Sequence, residues 1–169
     1  PHAHARIRGI DTAAALALPG VLAVLTGQDA IADGLQPIPH NPEWQGPPDA
    51  VLRLPDGFEV FVSGQPPLPI DTVRHVGEAV AIVVAETEAL AADAAELVDV
   101  DYEALPAITD ALGAMADGAP QVWSECAGNL ALTCEVGDAA ATERAFAAAA
   151  HVVRFETQIN RITGVPMEP

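Results

Sequence analysis

The sequence predicts an α+β domain with a mixed sheet. Three observations carry this: segments in which apolar and polar residues alternate, segments in which apolar residues recur at helical spacing, and an irregular order of the two along 169 residues. That length suits one domain with a hydrophobic core of its own.

Ala3, Ala5 and Ile7 alternate with His4, Arg6 and Arg8, which predicts an edge strand running to about Ile10. Asp11 then caps a short helix over residues 12–18, stopped by Pro19 and Gly20. An apolar strand follows at residues 21–26. Residues 31–72 are crowded with Pro and Gly and lack helical periodicity, so they read as a long Pro-rich excursion holding at most a short strand at 58–62. Trp44 and the apolar prolines of that excursion suit packing on a neighbouring domain.

Ala79 to Ala85 is a continuous apolar run and reads as a buried strand. Thr87 caps the next helix, on which Leu90, Ala94 and Leu97 share a face, and Val98, Val100 and Tyr102 alternate as a further strand. Strand, helix and strand here form a βαβ-type unit if the strands are parallel. A weak helix near residues 110–115, a strand at 130–136, an alanine-rich helix capped by Asp138 and a last strand at 152–160 complete the order.

The composition excludes several functions. The net charge is -17, from 24 acidic residues against 7 basic ones, which opposes binding to nucleic acid or to an anionic membrane. All the basic residues are arginines, so Schiff-base, pyridoxal-phosphate, P-loop and lipoyl-lysine chemistry have no lysine to use. Cys126 and Cys134 are too few for a disulfide framework or a metal cluster and read as ordinary side chains in a reducing compartment. No apolar run spans a bilayer and no signal-peptide pattern opens the chain, so membrane insertion is not expected and a cytoplasmic location is. Pro1 followed at once by strand-like alternation is expected of a chain that begins inside a longer one.

Catalytic motifs are scarce. No two glycines are separated by one residue, which removes the dinucleotide fingerprint, and neither Ser63 nor Ser124 lies in a nucleophile elbow. His2 and His4 share a side of the expected strand but have no third ligand, and His75 and Glu78 flank Gly77 at an expected bulge. Paired acids such as Glu86 with Glu88 or Asp99 with Asp101 arise from composition alone. No catalytic residue and no metal ligand is assigned.

Five segments in order carry a family resemblance: PHAHARIRGID (residues 1–11), LPGVLAVLTGQD (18–29), VRHVGEAVAIVVAET (73–87), LVDVDYEALPAI (97–108) and TGVPMEP (163–169). Together they resemble the large, molybdopterin-binding subunit of the xanthine dehydrogenase, aldehyde oxidase and aerobic carbon monoxide dehydrogenase family. The resemblance implies an α/β-hammerhead domain at residues 1–160, incomplete at its N-terminus, with 161–169 beginning the connection to the molybdopterin-binding region. It implies a parent enzyme that hydroxylates an aldehyde, an N-heterocycle or CO with oxygen from water. The electrons would pass to iron-sulfur clusters and FAD on other domains or subunits. The expected partners are therefore the molybdopterin-binding region of the same subunit and the iron-sulfur and FAD subunits, with this domain structural and inactive alone. Gly164 and Glu168 are the positions the resemblance places near the pterin, and a Gly-Pro turn with a structural carboxylate explains them equally. The alternative reading is a stand-alone acidic binding module with the same fold.

Overall fold

In the computed structural model the described residues are 1–38, 52–53 and 60–157. The strands are β1 (Ala5–Asp11), β2 (Val21–Thr26), β3 (Leu52–Arg53), β4 (Thr72–Val73), β5 (Ala81–Ala85), β6 (Asp99–Ala104) and β7 (Glu135–Val136). The helices are α1 (Ala13–Leu16), α2 (Gly27–Ala32), α3 (Glu88–Ala95), α4 (Ala111–Ala114) and α5 (Ala139–Ala148), with a short 3-10 turn at Ala127–Asn129. The α+β class holds, built on small sheets.

Two sheets organise the fold. β1 lies between β4 and β6, and β2 pairs with β5, all antiparallel. The parallel βαβ unit expected across residues 79–102 is therefore corrected: β5 and β6 belong to different sheets, and α3 carries the chain from one to the other. The sheet pairings among the described residues are antiparallel rather than mixed. β1 is a central strand, not an edge, because the excursion returns to lay β4 along its open side.

The core is thin and is made of small side chains. Ala15 on α1, Val24 on β2 and Ala94 on α3 are buried together, with Leu18, Val21, Ala81, Val83 and Val98 packed around them. Alanines at the helix crossing let α1 and α3 sit close against the β2–β5 sheet, as expected in a chain with few aromatic residues. β5 alternates between half-buried and exposed residues, so its apolar run does not mark a strand buried on both faces.

The helix boundaries follow the capping residues. Asp11 Oδ1 accepts from the Ala13 N–H at 2.9 Å but ends β1, and the N-cap of α1, which runs only to Leu16 rather than to 18, is Thr12. Thr87 Oγ1 caps α3 by accepting from the Leu90 N–H at 3.2 Å. Asp110 and Asp138 cap α4 and α5 in the same way. At α2, unexpected from sequence, the Asp29 carboxylate accepts from both the N–H and the O–H of Thr26 at 2.7 Å, which holds its pKa below the ordinary value.

The strand expected at 130–136 shrinks to β7, which pairs with β3. Residues 151–157 carry no strand, and Val153 and Phe155 are almost fully exposed, while 158–160 lie outside the described residues. Of the strand expected at 58–62, residues 60–62 are irregular and the others lie outside the described residues, as does Trp44.

Two glycines are fixed by geometry. Gly20 turns into β2 at φ 89°, where a left-handed residue joins Pro19 to the strand. Gly27 is buried where α2 begins, and a Cβ there would collide with the Pro69 carbonyl of the returning excursion. Gly27→Ala is expected to destabilise the domain by about 1–3 kcal/mol by forcing α2 away from residues 68–69. Denaturant unfolding checks this, and an unchanged midpoint would contradict it.

Candidate functional site

The polar side chains that the fold concentrates lie where the turn after β4 meets the loop before β7. Asn129 begins the arrangement. Its backbone takes a left-handed φ of 55°, which asparagine tolerates, and its amide clamps the loop. Oδ1 accepts from the Val122 N–H at 2.8 Å, and Nδ2 donates to the Ala114 and Pro120 carbonyls at 2.8 and 2.9 Å. This holds residues 120–123 in place.

Arg74 then closes on that loop. Its Nε donates to the Val122 carbonyl at 3.2 Å, its Nη1 to the Thr72 carbonyl at 3.2 Å, and its guanidinium carbon lies 3.6 Å above the centre of the Trp123 ring. That geometry combines a cation–π contact with two charge-assisted hydrogen bonds. Phe61 packs on the same indole at 5.9 Å, and its N–H bonds to the Ala131 carbonyl.

Gly77, at φ 85°, turns the chain so that the Glu78 carboxylate accepts from the Arg74 N–H at 2.6 Å. Glu78 is thus a backbone acceptor within the turn that Gly77 makes. Glu78 also acts on Tyr102: burial, and after it the negative charge of Glu78, push the phenol above its ordinary 10.0. The His2 ring packs tilted against Tyr102, centroids 5.0 Å apart, while His4 Nδ1 donates to the Pro106 carbonyl at 2.9 Å. The two histidines precede β1 and do not converge.

A cavity of about 490 Å³ opens beside this cluster, lined by Ser63, Gln65, Asp71, Arg74, Glu78 and Trp123 among others. A smaller one of about 240 Å³ lies on the other side of Trp123, against Phe61 and Cys126. Among the described residues no group of three or more His, Cys, Asp or Glu is placed to hold a metal ion. The arrangement joins three chain segments and leaves a hollow between them, which His75 and Ser63 also line.

Gly164 and Glu168, the expected pterin-side positions, lie outside the described residues. Sequence reasoning missed Arg74, Trp123 and Asn129 as a unit, because residues so far apart show no periodicity. The available signal was that Arg74 and His75 are followed by no further Lys, Arg or His until Arg144.

Two outcomes are expected. Arg74→Ala should cost about 2 kcal/mol and red-shift Trp123 emission in a Trp44→Phe background, with Arg74→Lys restoring little because an ammonium lacks the planar fork. Tyr102 is the one tyrosine of the chain, so its alkaline absorbance titration should have a midpoint above 10.0 that falls only part of the way back in Glu78→Gln, burial being the larger cause. Because the folded value is raised, the neutral phenol's contribution to stability is complete below pH 10.0 and is lost as pH rises through the folded value.

Comparison with known proteins places this geometry in a family. Residues 54–106 match the family described as aldehyde oxidase and xanthine dehydrogenase, a/b hammerhead domain. Over 99% of its length the chain is 34% identical to the carbon monoxide dehydrogenase large chain of Afipia carboxidovorans, of which it covers 20%. It is 36% identical, again over 99% of its length, to the 6-hydroxypseudooxynicotine dehydrogenase complex subunit gamma of Paenarthrobacter nicotinovorans, of which it covers 19%. Quinoline 2-oxidoreductase from Pseudomonas putida 86 superposes with a TM-score of 0.57 at 42% identity, covering 72% of this chain and 14% of that one. The chain thus spans about a fifth of the length of the curated relatives it matches. The chain belongs to the aldehyde oxidase and xanthine dehydrogenase family, with the a/b hammerhead match at residues 54–106.

Proposed function

We propose that this chain is the structural and docking domain of a molybdenum hydroxylase large subunit, and that it contributes interface rather than chemistry. The observation that carries the reading is the alignment of 99% of the chain with only 20% of the carbon monoxide dehydrogenase large chain. Residues 1–160 form the domain, and 161–169 start the connection to a molybdopterin-binding region of the same polypeptide. Iron-sulfur and FAD subunits complete the assembly, which works in the cytoplasm. Among the described residues no helix is long and apolar enough to cross a membrane.

The parent reaction is the oxidative hydroxylation of an aldehyde, an N-heterocycle or CO. When bound, the molybdenum cofactor would supply the oxygen transfer and accept the electrons. The described residues do not fit that group. Arg74 spends two of its donors on carbonyls and its face on Trp123, and Asp71 and Glu78 beside it would repel an anionic pterin phosphate. No step is therefore routed through the described cavity. Gly164 and Glu168 remain the positions proposed to lie near the pterin, a turn and a carboxylate at the entry to the cofactor region.

The purified chain, supplied with molybdopterin cofactor, is expected to retain no molybdenum and to oxidise no aldehyde. Metal analysis together with an aldehyde oxidation assay checks this, with the full-length large subunit as positive control. Stoichiometric molybdenum with turnover in the isolated chain would overturn the reading.

A further inference from the structure

The β2–β5 sheet has two apolar faces, and the fold covers one. Val24 and Val83 point to the helices α1 and α3. On the opposite face Leu25 stands directly across from Ile82, and Ala23 across from Val84. Leu25, Ile82 and Val84 remain 38%, 50% and 40% exposed, and Leu22, at the bulge in the same strand, 65%. An antiparallel sheet that ends at solvent normally turns polar side chains outward. Four large aliphatic side chains together instead mark a surface that is covered when the protein is in use.

Charge narrows the choice of cover. The exposed acids Asp29 and Asp33 follow β2, and Glu86 and Glu88 follow β5. No Lys, Arg or His occurs from residue 9 to 38 or from 76 to 143, so β2, β5 and the helices around them contain no cation. A second copy of the chain would bring the same acidic strand ends together at a net charge of -17 per copy, and like charges across an interface are costly. The complementary surface is an apolar ridge flanked by lysine or arginine.

We infer that the outer face of the β2–β5 sheet, centred on the Leu25–Ile82 pair, is a docking surface for a basic-flanked amphipathic element of a different polypeptide region, not for a second copy. This rests on the docking role proposed above and names the face and the chemistry of what it receives. The aliphatic face supplies the burial, and the acids that follow the two strands favour a cationic partner.

The test uses two synthetic amphipathic helices with the same leucine face, one flanked by lysine and one by glutamate, titrated into the isotope-labelled chain. The lysine-flanked helix is expected to shift the amides of Leu22, Leu25, Ile82 and Val84 and to bind about tenfold more tightly than the other, with the preference shrinking as salt is raised. Ile82→Glu and Val84→Gln, on exposed positions, should each abolish that binding with an unchanged circular dichroism spectrum, and Leu112→Glu on α4 should preserve it. Equal affinity for both helices, shifts on another face, or a dimer of the chain in sedimentation that occludes this face would overturn the inference. Such a failure leaves the molybdenum-hydroxylase reading standing, since metal content and turnover decide that reading separately.

Discussion

The structure depends on how little apolar surface the domain can bury on its own. Its central contact is Ala15 and Ala94 closing on Val24, a packing of small groups that brings two helices close to a two-stranded sheet. Small side chains permit close approach but bury little area each, and a two-stranded sheet is rarely stable without support on a face. The domain meets that need on the inner face and leaves the outer face, α5 and the segment around Val153 and Phe155 uncovered. On the docking role proposed above, the rest of its burial would come from other protein.

The polar half of the molecule answers a different constraint, that of tying irregular chain in place without a large core. Asn129 uses both ends of its amide on the backbone, Arg74 bridges two carbonyls and covers Trp123, and Glu78 caps its own turn. On the central sheet, Arg6 and Arg8 both reach Glu103 across the β1–β6 pairing at 3.2 Å, partly exposed contacts that steer register more than they stabilise. These groups are occupied in holding segments together.

Local order was legible where one residue decides it. Thr87 and Asp138 marked helix starts because a short polar side chain can satisfy the free N–H groups there, alternation marked β1 and β6, and an apolar run marked β2. Pairing was not legible. The run Ala79 to Ala85 looks the same whether a strand is covered on both faces or exposes one to a partner, so its outer aliphatics suggested a buried parallel strand. The central place of β1 was hidden too, because β4 is a two-residue strand delivered by a Pro-rich excursion with no periodic signal. The Arg74–Trp123–Asn129 cluster joins residues that only the tertiary fold brings together, and the family resemblance, not periodicity, identified the domain.

On the docking role proposed above, the outer β2–β5 face is covered by other protein. Hydroxyl-radical footprinting of Leu22, Leu25, Ile82 and Val84, compared between the isolated chain and the same residues within the complete large subunit, measures this directly. The account predicts strong labelling of all four side chains in the isolated chain and marked protection in the complete subunit, with Leu112 as an internal reference. Equal labelling in both would show that the face stays open to water, and would contradict it.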